Sequence, residues 1–237
     1  MSAGYFNFRN SLYVDIDPDP PGNLGEDWTE FTVMPWFGFE RDTSAGTWFG
    51  KVSWAYARTG DDASEISGGH ASSTDFDSLY LGWRHGSIDT GQFEVAGGRY
   101  PYKLAHGFLL QDGYADGGSR GAIWTNPRTA WAPGGRMQYR LHGHTGEIFY
   151  LERDDRPESD ADIRLSGVNY EWQSNDQAWT LCAAYMNFRA NERRRQLDGA
   201  DVWNLRIYTR PFSVPLTIEA EWAYEDNGLL LDSTAWY

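Results

Sequence analysis

The chain has 237 residues, 41% of them hydrophobic, and a formal net charge of −14 at pH 7. This length and content suffice for one folded domain, whereas the acidic balance argues against nucleic-acid partners, whose phosphates require clustered Lys and Arg. Aromatic residues make up 16% of a chain whose mean hydropathy is only −0.62, a combination typical of strands with one aromatic face.

Alternation of apolar and polar residues predicts about eleven or twelve β-strands. In the second of them, for example, Phe31, Val33, Phe37 and Phe39 fall on one face. The predicted strands cover residues 5–14, 29–40, 47–58, 76–85, 92–100, 136–142, 147–152, 163–172, 179–188, 201–210, 216–225 and 229–237.

Two of these strands break the alternation, which predicts a β-bulge in each. In the strand over residues 92–100, Phe93 and Val95 share a face with Arg99, and a bulge at Gly97-Gly98 would correct the parity. In the strand over residues 163–172 the parity shifts near Ser166-Gly167.

The hairpin over residues 201–225 has the most regular alternation in the chain. Its second strand places Trp222 on an apolar face and Glu219 and Glu221 on the opposite face. Pro211 and Pro215 bracket the turn, because proline fixes φ and cannot extend a ladder. We expect Arg206 to lie across this hairpin from Glu219 or Glu221, where opposite charges pair favourably.

The connections between the predicted strands alternate in length. Those after residues 14, 58, 100, 152 and 188 are long, and those after residues 40, 85, 142, 172 and 210 are short. Short turns at one end and long loops at the other are typical of outer-membrane barrels, whereas a Greek-key sandwich has no reason to sort its loops in this way.

We therefore predict an all-β fold, an antiparallel up-and-down transmembrane β-barrel that forms a single domain over residues 1–237 or part of a larger barrel. No run approaches the roughly 18 apolar residues of a membrane helix, so only a closed barrel could span a bilayer. The alternative is a soluble β-sandwich or closed barrel. The position of the tryptophans distinguishes the two, since a membrane barrel requires an outward belt that contains Trp54, Trp83, Trp179, Trp203 and Trp222.

The expected location is the outer membrane of a Gram-negative-type bacterium. Residues 1–5 contain no basic region followed by an apolar one, so a signal peptide is absent from this sequence. A mature form or a piece of a longer gene product would explain this. The single cysteine, Cys182, excludes an intrachain disulfide.

Gly97-Gly98-Arg99 is followed by a long loop with Asp112-Gly113 and Arg120-Gly121, and then by Trp124. In these motifs the middle third of the chain resembles the alginate-export-type family of outer-membrane porins. The resemblance implies a larger barrel of about eighteen strands, of which this chain would form a part. It also implies an Arg-lined pore for an anionic polysaccharide.

Charged residues on the polar strand faces are expected to line a pore, where mixed charges screen solutes; structural ion pairs are the alternative reading. Glu30 belongs to this face. The other predicted pore-lining residues are Lys51, Arg84, Arg99, Arg136, Arg140, Arg206, Arg210, Glu219 and Glu221.

The loop over residues 101–135 is the longest irregular segment, and loops of this length are usually functional or disordered. We predict that it folds into the barrel as a constriction, with Tyr114 and Trp124 able to stack on sugars; an exposed mobile loop is the alternative. The predicted constriction residues are Lys103, Asp112, Tyr114, Asp116, Arg120, Trp124 and Arg128.

The predicted function is that of a porin-like outer-membrane channel for passive passage of a hydrophilic solute, such as a saccharide or polysaccharide. The alternative is a soluble all-β carbohydrate-binding module. We expect membrane lipid and the solute as partners, no cofactor, no metal and no enzymatic activity, because no Gly-x-Ser-x-Gly elbow or comparable motif is present. The spacing of Asp15, Asp17, Asp19 and Glu26 copies a calcium loop only superficially, since Pro20 stands where glycine is needed.

Overall fold

The computed structural model describes residues 1–9, 25–61, 71–115, 117–210, 216–227 and 233–236. Within these ranges the fold is all-β, as predicted, with three short 3₁₀ helices at Gly118–Arg120, Pro157–Ser159 and Glu192–Leu197. No helix in this part of the chain is long and apolar enough to cross a membrane. The strands are β1 Ser2–Arg9, β2 Gly25–Val33, β3 Trp36–Thr43, β4 Gly46–Asp61, β5 Ser72–Ser87, β6 Gly91–Pro101, β7 Ala130–Leu141, β8 His144–Glu152, β9 Arg164–Gln173, β10 Trp179–Arg189, β11 Asp201–Thr209, β12 Ile218–Asp226 and β13 Ser233–Trp236.

The thirteen strands form one antiparallel up-and-down sheet, in which neighbours in sequence are neighbours in space. The exception is at β4, where β2 and β3 pair with successive parts of the same edge because the chain is interrupted at Met34-Pro35. Among the described strands, β1 and β13 each pair on one side only, so the sheet is open. The predicted antiparallel meander is confirmed; its closure into a barrel is not.

The predicted alternation of connections is confirmed where the structure describes them. Short turns join β3 to β4, β5 to β6, β7 to β8 and β9 to β10, while longer segments follow β6, β8 and β10. The predicted Pro211 to Pro215 turn lies outside the described residues, as do Asp15, Asp17 and Asp19 of the calcium-like spacing. These long connections therefore lie at one end of the sheet, the loop end, and these four short turns lie at the other, the turn end.

The two faces of the sheet differ in what covers them. Residues 102–129, called here the β6–β7 loop, lie against one face, called the covered face. A hydrophobic cluster of Leu151, Leu165, Met186 and Val202 on this face packs against loop residues that include Leu110. This cluster fills the part of the covered face near the loop end.

The opposite face, called the bare face, is apolar and has no second sheet over it among the described residues. Four of the five tryptophans that the sequence assigns to an outward belt are 38–43% exposed there, and Trp83 is partly exposed. Other exposed apolar residues of this face are Phe37, Phe39, Trp48, Phe76, Leu79, Leu81, Met137, Tyr139, Ile148, Tyr150, Val168, Tyr170, Leu181, Tyr185, Leu205 and Ile218.

The structure confirms one predicted bulge and contradicts the other. The register between β6 and β7 shifts between Gly98 and Tyr100, next to the predicted position. In β9 the pairing continues without a shift on both sides, so the bulge at Ser166-Gly167 is wrong. The parity only seemed to change because Leu165 and Val168 are apolar on opposite faces. Gly167 keeps the alternation, and the Phe149 ring occupies the space where its side chain would be.

Candidate functional site: the β6–β7 loop on the covered face

The β6–β7 loop is shorter than predicted because β7 begins at Ala130 rather than Arg136. Pro133, Gly134 and Gly135 concealed the start of this strand, since proline and glycine are depleted in strands. The loop connects neighbouring strands, yet its contacts extend from β1 to β12, and these contacts define the candidate site.

The Glu30 carboxylate fixes the second half of the loop to β2. Its Oε1 accepts hydrogen bonds from the indole Nε1 of Trp28 at 3.0 Å and the amide of Ile123 at 3.1 Å. Its Oε2 accepts hydrogen bonds from the amides of Trp124 and Thr125 at 3.0 and 2.9 Å. Glu30 is 2% exposed, so three successive loop amides satisfy a buried charge.

A second buried carboxylate, Asp77 of β5, fixes the end of the loop in the same way. Its Oδ1 accepts hydrogen bonds from the amides of Thr129 and Ala130 at 2.8 and 3.1 Å. Its Oδ2 accepts from the hydroxyl groups of Ser53 and Ser78 at 3.1 and 2.9 Å. Two acidic residues on nonadjacent strands therefore hold the chain from Ile123 to Ala130.

Three predicted constriction residues meet in an arginine–tyrosine cluster. The guanidinium groups of Arg120 and Arg128 lie 4.4 and 4.7 Å from the ring centroid of Tyr114, and Arg128 also donates to the Tyr114 hydroxyl. Tyr114 is 4% exposed. The prediction that it stacks on a sugar therefore does not agree with the structure, since two cations pack against its ring.

Asp154 joins this cluster to the strand wall. It forms ion pairs with Arg120, at 2.7 Å, and with Arg99 of β6. Arg120 donates further to the backbone oxygens of Asp154 and Asp155 at 2.8 and 2.6 Å. Arg99, which the sequence assigns to the pore wall, thus serves to hold the segment after β8 against the loop.

A separate contact fixes the loop near its 3₁₀ helix. Ser119 donates from its hydroxyl and its amide to the Glu158 carboxylate, at 2.6 and 3.1 Å. These hydrogen bonds favour the ionised form and lower the pKa of Glu158 to about 2. The contact therefore persists at every pH near neutrality.

The first half of the loop crosses the covered face toward β10 to β12. Tyr102 donates to Oε1 of Glu147 at 2.7 Å and packs its ring against Phe149. Burial first, and then the neighbouring Glu147 charge, raise the pKa of Tyr102 well above its ordinary value. Farther along, Nε2 of His106 lies 3.6 Å from Oε1 of Glu219.

The turn half of the covered face is polar, and its charges are distributed unevenly. On β5 and β7, Arg84 and Arg136 share Glu94, at 3.7 and 2.5 Å, and Arg136 also lies 3.3 Å from Glu147. Arg140 donates to Gln92 at 3.2 Å. The covered face is therefore rich in arginine at β5 and β7.

The opposite part of the wall, β9 to β12, is rich in carboxylates. Arg206 pairs in register with Glu221, as predicted. Its buried guanidinium donates to Asn169 at 2.5 Å and lies 3.8 Å from Glu171. Glu221 accepts from Asn204 at 2.8 Å. Arg206 thus has two carboxylates on the neighbouring strand β12, Glu219 and Glu221, and a third, Glu171, two strands away on β9.

The remaining predicted site residues are dispersed. Lys51 lies 5.8 Å from the Trp36 ring centroid, and Arg210 is exposed after β11. In the loop, Lys103 and Asp112 are exposed and Trp124 is 61% exposed. Asp116 lies outside the described residues, so its predicted role stays a prediction.

Sequence reasoning missed the residues that bind the loop from outside it. The residues Asp77, Asp154, Glu147 and Glu158 lie 34 residues or more from their loop partners, and none belongs to a motif. Only Asp77 stands out in the sequence, because its carboxylate interrupts the apolar alternation of β5. The structure shows that this position is buried.

The Tyr102 hydroxyl offers a direct test of the loop position. We expect Tyr102→Phe to lower the free energy of unfolding by about 1 to 2 kcal/mol, since buried Glu147 loses a donor. Tyr5→Phe is the matched control, because the Tyr5 hydroxyl donates to Asp27 in an exposed position. Denaturant unfolding of the refolded protein measures the free energy of unfolding of both variants. Equal losses in the two variants would mean that the Tyr102 hydrogen bond does not stabilise the fold.

Comparisons with known proteins give no relative on which to base a function. No protein-family model matches the chain, and no curated protein or solved structure is significantly similar to it.

Proposed function

We propose that this chain forms the wall of a transmembrane β-barrel that lets hydrophilic solutes pass down their gradient. The observation that carries the proposal is the separation of the two faces, one apolar and exposed, the other charged and joined to a loop. Contiguous exposed apolar surface of this extent marks an interaction site in soluble proteins. Lipid is the partner that can cover an apolar surface as large as a whole face of this sheet.

The strand dimensions agree with a lipid-spanning wall. β6 and β10 each have 11 residues and β7 has 12, close to the roughly 9 to 11 that a tilted transmembrane strand needs. On β10, Trp179 and Tyr185 stand at the two ends of the bare face, with Leu181 and Ala183 between them. Aromatic residues at both ends of an apolar band are a feature of membrane barrels.

The strand count is compatible with closure. Because β2 and β3 share one edge of β4, the meander has twelve positions across the sheet. In an up-and-down meander of even number, the two edge strands β1 and β13 are antiparallel, as barrel closure requires. Pairing between these edges, directly or through further strands, would remove the unpaired backbone groups that a bilayer cannot satisfy.

In this arrangement the covered face lines the lumen and the β6–β7 loop narrows it. The turn end would face the periplasm and the loop end the exterior, following the usual distribution of turn and loop lengths. Arginines on β5 and β7 facing carboxylates on β9 to β12 would create a transverse field. Such a field favours hydrated polar solutes over apolar ones.

Two measurements on detergent-refolded protein test the proposal. We expect the unheated protein to migrate differently from the heated protein on a gel, because a closed barrel resists detergent. Reconstituted in a planar bilayer, the same preparation should give stable conductance steps. A preparation that shows the gel shift but never conducts would contradict the channel, and a protein that stays folded and monodisperse without detergent would contradict the membrane wall.

A further inference from the structure

A cavity of about 290 Å³ lies between the tip of the β6–β7 loop and strands β11 and β12. Its lining residues are His106, Gly107, Phe108, Tyr208, Glu219, Ala220 and Glu221. Its volume is at the small end of ligand pockets. One sugar unit, or a molecule of similar size, would fill it.

The charged groups around this cavity are acidic. Glu219 and Glu221 lie on the same face of β12 and give the lining a charge of −2 when the His106 imidazole is neutral. The Glu219 side chain is 30% exposed, so a solute in the lumen could reach its carboxylate. Arg206, the nearest arginine in register, has a fully buried side chain and is not part of the lining.

The polar groups beneath the loop tip are incompletely paired. The Tyr208 hydroxyl is buried without a hydrogen-bond partner among the described residues, and so are Nε and Nη1 of Arg206. The His106 ring lies over Tyr208, with ring centroids 5.1 Å apart. An unsatisfied buried hydroxyl costs about 1 to 3 kcal/mol, so a solute that displaced His106 and bonded to Tyr208 would be favoured.

We infer that this cavity binds a cationic, hydroxyl-bearing solute, of which an amino sugar is the simplest form. The ammonium group would replace the His106 imidazole at Glu219, and hydroxyl groups would bond to Glu221 and Tyr208. Phe108, which is 42% exposed, offers an aromatic edge of the cavity to the apolar side of the sugar ring. Anionic sugars are disfavoured, since both lining carboxylates would repel them.

This inference rests on the proposed channel, because it treats the cavity as a binding site that the solute occupies while it crosses the lumen. It also predicts the charge of the solutes that the channel prefers. An acidic subsite on β12 beneath the loop raises the local concentration of cations and disfavours anions. The channel should therefore pass amino sugars more readily than sugar acids.

The test compares glucosamine, glucose and glucuronate at pH 7, where most of the glucosamine amine carries its proton, and at equal ionic strength, with detergent-refolded protein in a titration calorimeter. We expect glucosamine to bind most tightly and glucuronate least. Glu219→Gln should weaken glucosamine binding roughly fivefold, the size of a partly exposed ion pair, and leave glucose binding unchanged. Glu192→Gln, an exposed charge-matched change outside the cavity, should alter neither.

A second variant keeps the test independent of any folding defect in Glu219→Gln. His106→Ala removes the imidazole that occupies Glu219, so glucosamine binding should hold or tighten. Equal binding of glucosamine and glucose, or a loss of glucosamine binding in His106→Ala, would overturn the assignment of the site.

Conductance measured on the same preparations separates the two proposals. A protein that conducts but shows no preference for glucosamine would support the channel and contradict the amino-sugar site. A protein that binds glucosamine through Glu219 but does not conduct would support the amino-sugar site and contradict the channel.

Discussion

Arginine in place of Leu205 is expected to destabilise the protein by about 2 to 4 kcal/mol in lipid vesicles, the cost of a charge at the middle of a barrel wall. Leu205 is the fifth of nine residues in β11 and is 55% exposed on the bare face. In water, a substitution at so exposed a position changes stability by roughly 0.5 kcal/mol or less. The size of the effect therefore reports which solvent the bare face contacts.

Ile88→Arg is the matched control for this experiment. Ile88 is 50% exposed but lies in the turn between β5 and β6, outside the proposed lipid band. Urea unfolding of vesicle-inserted protein measures both variants. If Leu205→Arg costs no more than Ile88→Arg, the bare face does not lie in the bilayer.

Replacing Glu30 with glutamine is expected to lower the free energy of unfolding by about 2 to 4 kcal/mol. The amide NH₂ would face backbone amides that now donate to the carboxylate, which leaves buried donors without acceptors. The loop should then open without unfolding the sheet, since the sheet retains its own ladders. Limited trypsin digestion would detect this opening as new cleavage after Arg120 and Arg128.

Glu192→Gln again serves as the control, because Glu192 is exposed in a 3₁₀ helix after β10. Unchanged protection of both arginines in Glu30→Gln would mean that the three amide contacts do not hold the loop. Asp77→Asn should give the same new cleavage after Arg128, because it loosens the other anchor.

The sheet was predictable from sequence because period-two alternation is local. The hairpin of β11 and β12 shows this best, since alternation and charge predict Arg206 opposite Glu219 or Glu221, and the structure pairs it with Glu221. Alternation fails where both faces are apolar, as at Leu165 and Val168 of β9. There one residue packs under the loop and the other is exposed, and the sequence does not distinguish the two environments.

The candidate site was only partly predictable, because loop position depends on distant partners. The loop and its arginines were recognised from length and composition. Their partners were not, because Glu30 binds backbone amides 93 to 95 residues away, and amides are present in every residue. Tyr114 was assigned to sugar stacking for its aromatic ring, whereas its neighbours Arg120 and Arg128 already occupy that ring.

The reach of the β6–β7 loop has a mechanical consequence for the sheet. The loop contacts Ala55 of β4 through Arg128 at 2.9 Å and Glu219 of β12 through His106. These strands are eight steps apart in the sheet order, roughly 38 Å if the sheet were flat. One loop therefore contacts both strands and links the two sides of the sheet. In the proposed channel this loop would join opposite sides of the barrel, so we expect deletion of loop residues to draw those sides together and narrow the passage.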